Sequence, residues 1–374
     1  MRQIERVSGL SAWTYRVPTR TSGRERPESD GTASWDHTDV LVIEVRRGDV
    51  RGLGYSYASP AALSVLQETL APLVLGADVF ATPRLFWTMA RSVRNLGWPG
   101  VAAGAISAVD IAVHDLKARL LDVPLLDLLG ASRERVVAYG SGGFTDYSDG
   151  ELTGQLEDWM ARGIAAVKIK VGSHPDDDPR RIRLARQTIG ERVALFIDAN
   201  GALARKQALG LAVEAASAGV SWFEEPVSSD DLAGLRLLRD RAPAGMSIAA
   251  GEYAYTPAAF RDLIAGGAVD VVQADATRCG GVTGFMNAAQ QCIAAGIPLS
   301  AHTAPAIHAV LGCAARPVIH IESFHDHELV EALLFEGCSP LVDGCLVPDR
   351  GRAGHGLSLR DHASSYQTAH YVMA

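Results

Sequence analysis

The chain of 374 residues lacks the features that mark secreted, membrane-spanning and nucleic-acid-binding proteins. Its five cysteines all lie after residue 278, and none forms a C-x-x-C pair of the kind that holds zinc or exchanges thiols. The longest run without Asp, Glu, Lys or Arg, residues 279–315, is interrupted by glutamine, proline and histidine and is not continuously apolar, and the first residues contain no apolar signal segment. The net charge is -8 and no block of five like charges is present, which argues against nucleic-acid or membrane-surface binding. We therefore expect a cytoplasmic protein with a small-molecule partner.

The first part of the sequence indicates an α+β domain. Three strand-like segments, "RQIERVSGLSAWTYRVP", "TDVLVIEV" and "VRGLGYSYA", form a predicted antiparallel meander over residues 1 to about 57. Helical patterns follow, including the alanine-rich "VAAGAISAVDIAVHDLKARLL", which is apolar on nearly all sides and is expected to be buried. Strands followed by helices predict an α+β capping domain over residues 1–130.

From about residue 131 the pattern changes to short buried strands that alternate with amphipathic helices. Seven of these strands are predicted to end at Lys170, Asp198, Glu224, Glu252, Asp275, His302 and Glu322. The intervals of 20 to 28 residues each fit one strand and one helix, and "VVAYGSG" supplies a first strand. An open doubly wound sheet would gather its chemistry at one switch point, so titratable groups at strand after strand favour a (β/α)8 TIM barrel. We expect the barrel to occupy residues 131–345 and residues 346–374 to pack back on the capping domain.

Two lysines lie in the buried strand "AAVKIKVG". Because alternate residues of a strand share a face, Lys168 and Lys170 both point into the predicted barrel. A single buried lysine is usually a structural, ion-paired residue, but two beside strand-end carboxylates indicate a site. Each ammonium group makes its neighbour harder to protonate, which predicts that one of the two is neutral near pH 7 and accepts a proton.

Three carboxylates, Asp198, Glu224 and Glu252, end consecutive strands. Any one of them alone would more often be a helix cap or part of a salt bridge. Together at the barrel mouth they would repel one another unless a cation joined them, and oxygen ligands favour Mg²⁺, then Mn²⁺. Asn200 and Glu225 are candidates for orienting these ligands or the lysines.

Asp275 and His302 end the next two strands. A carboxylate that accepts a hydrogen bond from one imidazole nitrogen makes the other nitrogen a competent acid or base, although a packing role for such a pair is also common. The remaining histidines of this part of the chain lack the strand-end position and are expected to be structural or rim residues: His308, His320, His325 and His327.

The motifs "KIK", "DAN", "FEEP", "GE", "DATRCGGVTG", "SAH" and "IE" stand in an order and spacing that resembles the enolase superfamily, in its mandelate racemase-like branch. The segment "AISAVDIAVHDLKARLLDVPLLDLLG" of the capping domain is similar as well. The resemblance implies that the three carboxylates bind Mg²⁺ and that Lys170 is the base on one face of the substrate. It further implies that Lys168 contacts the substrate carboxylate, that Asp275 and His302 form the opposite dyad, and that Glu322 hydrogen-bonds the carboxylate.

The same resemblance implies that two loops of the capping domain close the barrel mouth and shape specificity. In this sequence they correspond to "TRTSGRERPESDGTASWDH" and "GYSYAS". The candidate substrate-binding residues in them are Arg24, Arg26, Trp35, His37 and Tyr55.

Dehydration of an acid sugar to a 2-keto-3-deoxy acid is the leading functional hypothesis, because the polar cap loop suits a polyhydroxylated carboxylate. Racemisation or epimerisation of a 2-hydroxy acid or amino-acid derivative by the same two bases is the main alternative. A Schiff-base lyase that uses Lys170 would not explain the three carboxylates, and a non-catalytic binding barrel would not explain the undamaged motifs. We also expect a homo-oligomer.

Overall fold

The computed structural model describes residues 4–19 and 26–373. In the described part of the chain, the capping domain begins with five strands: β1 Gly9–Pro18, β2 Glu28–Ser29, β3 Ser34–Trp35, β4 His37–Arg47 and β5 Val50–Ser56. Its helices are α1 Ala61–Val65, which continues through a π-helical turn at Leu66–Leu70 into α2 Ala71–Val74, then α3 Thr82–Ser92, α4 Val101–Leu120 and α5 Leu125–Leu129. The predicted meander is present as β1, β4 and β5, and α4 is buried over most of its length because its sequence is largely apolar.

Eight parallel strands form the second domain within the described residues. They are β6 Val136–Gly142, β7 Ala166–Lys170, β8 Ala194–Asp198, β9 Val220–Glu224, β10 Ser247–Ala250, β11 Val271–Ala274, β12 Leu299–Ala301 and β13 Val318–Phe324. Each strand pairs with the next, and β13 pairs with β6, so the sheet is closed. The helices between and after them are α6 Asp149–Ala161, α7 Asp178–Ile189, α8 Arg205–Ser217, α9 Leu232–Arg241, α10 Pro257–Ala265, α11 Gly281–Ala295, α12 Pro305–Ala314 and α13 His325–Leu334. The predicted TIM barrel with an N-terminal capping domain is confirmed.

The remaining elements are short until the last strand. They are β14 Phe335–Glu336, β15 Leu341–Val342, β16 Cys345–Leu346, β17 Ser358–Leu359, a 3₁₀ helix at Asp361–Tyr366 and β18 Gln367–Met373. The last strand, β18, returns to the capping domain and pairs antiparallel with β1, with Leu10 opposite Met373. Within the described residues, no helix has the length and apolar character that crossing a membrane requires.

Strand register brings the predicted site residues to one level. Lys170 lies opposite Asp198 across β7 and β8, and Asp198 lies opposite Glu224 across β8 and β9. The observed strands β10, β11 and β12 end one or two residues before Glu252, Asp275 and His302. These three side chains therefore project from the first residues of the loops at the same end of the barrel.

The opposite end of the barrel interior is filled with aromatic side chains. Tyr139 and Phe196 pack edge to face with ring centroids 5.4 Å apart, and Phe196 stacks on Trp222 at 5.3 Å. Such filling makes the barrel a packed core rather than a channel. The polar residues lie at the other end, at the mouth that the capping domain faces.

Candidate active site

The three predicted metal ligands lie together. Asp198, Glu224 and Glu252 each place one carboxylate oxygen within 4.8 Å of the others, and all three side chains are buried. Burial first, and repulsion from Asp198 second, raise the pKa of Glu224 to about 8. Oxygen ligands at this spacing fit a hard divalent ion. Such an ion would offset the electrostatic repulsion between the three buried carboxylates.

Both lysines of the "KIK" strand contact these carboxylates. Lys170 Nζ lies 2.6 Å from Asp198 Oδ2, whereas Lys168 Nζ lies 2.6 Å from Glu224 Oε1 and 2.8 Å from Glu322 Oε1. Burial alone would lower the pKa of Lys170, but the attraction of Asp198 outweighs burial and the repulsion of Lys168, so its pKa is raised. That one of the two lysines is neutral near pH 7 stays a prediction, because a cation bound by the same carboxylates would act against this attraction.

Asp275 and His302 are in contact, as their positions at neighbouring strand ends predicted. His302 Nδ1 lies 2.9 Å from Asp275 Oδ2, and Asp275 also accepts hydrogen bonds from the backbone and the hydroxyl of Thr277, each at 2.7 Å. The second imidazole nitrogen, Nε2, lies 3.0 Å from Glu252 Oε2. Burial would lower the pKa of His302, but Glu252 and the Asp275 hydrogen bond raise it to about 10.

Strained backbone surrounds these side chains. Four non-glycine residues that follow barrel strands have positive φ: Asn200 at 46°, Glu225 at 35°, Thr303 at 50° and Ala304 at 43°. Such conformations cost about 1–3 kcal/mol each and persist where the surrounding structure enforces them, often at functional sites. The buried Asn200 Oδ1 has no hydrogen-bond partner among the described residues, which leaves it available to a ligand.

A cavity of about 430 Å³ lies between the barrel mouth and the capping domain. The barrel contributes Lys170, Glu252 and His302 to its floor, together with Asn200 and Glu322. The capping domain contributes a wall that includes Asp30, Trp35, His37, Asp39 and Tyr57. A ligand of small-molecule size would therefore contact bases, metal-type carboxylates and cap residues at once.

Comparison with known proteins assigns the chain to a protein family. Residues 14–130 match the model of the mandelate racemase / muconate lactonizing enzyme N-terminal domain, and residues 151–363 match the enolase C-terminal domain-like model. The chain belongs to the mandelate racemase/muconate lactonizing enzyme family. The resemblance seen in the sequence motifs is thereby confirmed.

Several members of this family are similar over almost the whole chain. A mandelate racemase/muconate lactonizing enzyme-like protein from Rubrobacter xylanophilus is 48% identical with a TM-score of 0.93, covering 97% of this chain and 100% of its own. The L-talarate/galactarate dehydratase of Salmonella typhimurium is 30% identical over 90% of this chain and 83% of its own length. Its crystal structure with Mg and L-lyxarohydroxamate has a TM-score of 0.90 and covers 99% of this chain and 95% of its own. A 3,6-anhydro-alpha-L-galactonate cycloisomerase from Streptomyces coelicolor is 30% identical over 92% of this chain and 94% of its own.

The ligands of this site fit magnesium. The three carboxylates offer oxygen ligands only, and family structures contain bound magnesium. Asp198, Glu224 and Glu252 would hold the ion. Glu225 is also buried at this end of the barrel, where burial and repulsion from Glu252 raise its pKa. The excess of buried acidic groups is consistent with a site that takes a divalent cation.

The cap residues predicted to bind substrate fall in different places. Trp35 and His37 line the cavity. Arg24 lies outside the described residues, and Arg26 is exposed and reaches Glu151 at 3.4 Å. Tyr55 does not line the cavity: it is completely buried and donates a 2.6 Å hydrogen bond to Glu331.

Sequence reasoning missed several residues that line the cavity, four of which carry polar side chains of interest. Tyr57 occupies the place expected for Tyr55, two positions later in the same cap segment. Arg278, in the "DATRCGG" motif, lies 3.1 Å from Glu252 Oε1. Asp326 and His327 come from the first turn of α13, and His327, which was expected to be a structural or rim residue, is buried and lines the cavity. The clue in the sequence was the segment "FHDH" directly after the last barrel strand.

Proposed function

We propose that this protein is a magnesium-dependent dehydratase of acid sugars. The observation that carries the proposal is that Lys170, His302 and three metal-type carboxylates line one polar cavity. Its similarity to acid sugar dehydratases that bind Mg supports the same function. The substrate would be a small carboxylate with hydroxyl groups, as the polar cap wall requires.

The chain's own residues can perform the proton transfers of a dehydration. Lys168, within 2.8 Å of Glu322, would bind the substrate carboxylate, and Lys170 or His302 would take the proton from the adjacent carbon. An ion held by the three carboxylates supplies positive charge that stabilises the negative charge developing on the substrate. His302, oriented by Asp275, would then give a proton to the departing 3-hydroxyl group, which leaves as water.

Racemisation or epimerisation is the second candidate function. The observation that favours it is the presence of two titratable side chains, Lys170 on β7 and the His302 imidazole just after β12, at separate positions around the same cavity. Two bases so placed could remove a proton on one face and return it on the other. Dehydration is preferred because the named relatives act on acid sugars and the cavity wall is rich in hydrogen-bonding groups.

The test is a panel of acid sugars incubated with the protein and Mg²⁺ and assayed for 2-keto acids. Formation of a 2-keto-3-deoxy acid from at least one substrate would support the proposal. If no substrate of the panel gives a 2-keto acid, and deuterium is exchanged into another carboxylate, the proposal is overturned in favour of racemisation.

Borohydride trapping of a lysine adduct that survives EDTA would instead indicate the Schiff-base lyase. The homo-oligomeric state and the cytoplasmic location remain predictions.

A further inference from the structure

Arg278 is a cation at the barrel mouth that the proposed chemistry does not use. Each of the three metal-type carboxylates contacts at least one basic side chain: Lys170 and Lys168 contact the first two, and Arg278 Nη1 lies 3.1 Å from Glu252 Oε1. Arg278 also lines the cavity, with 24% of its side chain exposed. A guanidinium group is not deprotonated in proteins, so Arg278 is not a base. Its place beside Glu252 therefore calls for a different role.

Glu252 is the metal-type carboxylate that the barrel sheet holds least. Asp198 and Glu224 are the last residues of β8 and β9 and lie opposite each other in the strand register, whereas Glu252 lies two residues beyond the end of β10. Asp275 likewise lies one residue beyond the end of β11. Side chains on loops are positioned less precisely than side chains on strands, so these two carboxylates need a restraint from outside the sheet.

Arg278 contacts both of these loop carboxylates. Its Nη1 also lies 3.4 Å from the backbone oxygen of Glu252, and its Nε lies 3.5 Å from Asp275 Oδ2. The guanidinium packs over the ring of Tyr253, with 5.2 Å between Cζ and the ring centroid. Burial would lower the pKa of Arg278, but the attraction of Glu252 and Asp275 raises it. The planar fork of a guanidinium suits two carboxylates at once, whereas a lysine ammonium is a single point charge.

The two carboxylates that Arg278 joins belong to different parts of the site. Glu252 is a metal-type ligand, whereas Asp275 orients His302 through the 2.9 Å contact between Oδ2 and Nδ1. We propose that Arg278 is a positioning residue that holds Glu252 and Asp275 at a fixed separation and thereby couples the metal site to the Asp275–His302 dyad. The inference rests on the proposed function where it treats His302 as a residue that transfers a proton.

Arg278→Lys tests this role, because it keeps the positive charge but removes the fork. We expect the Mg²⁺ affinity, measured by calorimetry, to fall about tenfold, as is common when a partner of a metal ligand is lost. We also expect the Nδ1 proton resonance of His302 to shift, because this proton reports the contact with Asp275. The resonance is followed by NMR of the Mg²⁺-loaded protein labelled with ¹⁵N-histidine and is assigned with His302→Asn.

The same variant should also lower the rate of dehydration. At saturating Mg²⁺ we expect kcat to fall roughly 10–100-fold, because a misplacement of about 1 Å at the reacting groups can cost 10²-fold. The KM should change by less than about threefold, since Arg278 acts through Glu252 and Asp275 rather than on the substrate. A defect in metal affinity alone would disappear at saturating Mg²⁺.

Arg239→Lys is the matched control. Arg239 of α9 also joins a carboxylate and a backbone oxygen, those of Asp270 and Gly267 at 3.0 Å each, but it does not line the cavity, so both readouts should keep their wild-type values. If Arg278→Lys fails to fold in a thermal melt, Arg278→Gln replaces it with a shorter, neutral amide. The same shift of the His302 resonance is then expected, and a wild-type resonance would overturn the inference.

Calorimetry and NMR need no turnover, which separates this inference from the proposed function. If no acid sugar is dehydrated but Arg278→Lys changes both the Mg²⁺ affinity and the His302 resonance, the function fails and the inference stands. If dehydration occurs but either readout is unchanged in Arg278→Lys, or changes equally in Arg239→Lys, the inference is overturned and the function stands. Wild-type kcat of Arg278→Lys at saturating Mg²⁺ would also overturn the inference. If there is neither turnover nor a change in the two readouts, both fail.

Discussion

Trp222 Nε1 donates a hydrogen bond to Glu224 Oε2 across 3.1 Å, and both residues are buried inside the barrel. This contact joins the aromatic layer that fills the barrel to one of the metal-type carboxylates. Partners of this kind orient a ligand, and their loss commonly costs about 10–100-fold in metal affinity. Trp222 is therefore a positioning residue for the metal site.

Trp222→Phe should weaken Mg²⁺ binding about tenfold, because Phe keeps the ring stacking but removes the donor. Calorimetric titration with Mg²⁺ measures the change directly. Trp159→Phe is the control, since Trp159 is an equally buried indole of α6 that packs against Gly140 of barrel strand β6. Equal Mg²⁺ affinity in Trp222→Phe and wild type would refute the positioning role.

Substitution of a metal-binding carboxylate should remove the stabilisation of the folded protein that Mg²⁺ provides. An ion at 100 times its Kd stabilises a protein by about 2.7 kcal/mol, so Mg²⁺ should raise the melting temperature of the wild type. Glu252→Gln should abolish most of this increase, because it replaces one of the three negatively charged carboxylates by a neutral amide. A variant whose melting temperature still rises with Mg²⁺ as much as the wild type would show that the ion binds elsewhere.

Removal of either base should stop the reaction while the fold remains intact. Lys170→Ala and His302→Asn should each lower the rate of dehydration by about 10²–10⁴-fold, the usual contribution of a positioned acid or base. Steady-state keto-acid assays measure the loss, and circular dichroism with Mg²⁺ titration checks that the site is still formed. Near-normal dehydration by either variant would remove that residue from the mechanism.

Glu331 links the capping domain to the barrel and should make stability depend on pH. Burial raises the pKa of Glu331 to about 8, against the hydrogen bonds from Tyr55 and the backbone of Ala306, which act to lower it. Because the folded-state pKa lies above the unfolded value, the stabilising contribution is complete below about pH 4.5 and is lost as the pH rises towards 8.

Glu331→Gln removes this titration and should flatten the curve. Urea unfolding of both proteins from pH 5 to pH 8.5 gives the free energies of unfolding. We expect the wild type to lose stability relative to Glu331→Gln as the pH increases across this window. A constant difference between the two proteins would show that Glu331 has the same charge throughout.

The sequence predicted the barrel and its chemistry because strand periodicity and strand ends are local features. Lys170, Asp198 and Glu224 fall at one level since adjacent parallel strands with short loops align their ends. The position of Tyr55 was different: it lies within β5 and points into the interface with Glu331, while Tyr57 lies just after the strand. Where a strand ends, and so which side its last residues face, depends on tertiary contacts that one sequence does not display.

The contacts of Lys170 and the position of His327 were beyond sequence reasoning for a similar reason. Lys170 Nζ lies 2.6 Å from Asp198 Oδ2, and no pattern of residues gives that distance. His327 lies on a helix, where the alternation used for strands has no meaning, and only the approach of Tyr57 from the capping domain shows that it faces the cavity.

The most direct test of the account is proton NMR of an acid sugar incubated with the protein in D2O, with and without Mg²⁺. We predict that the hydrogen on the carbon next to the carboxylate is lost only with Mg²⁺ and that a 2-keto-3-deoxy acid accumulates. Loss of that hydrogen at the same rate after complete removal of Mg²⁺ by EDTA, or turnover in which that hydrogen is retained, would contradict the account.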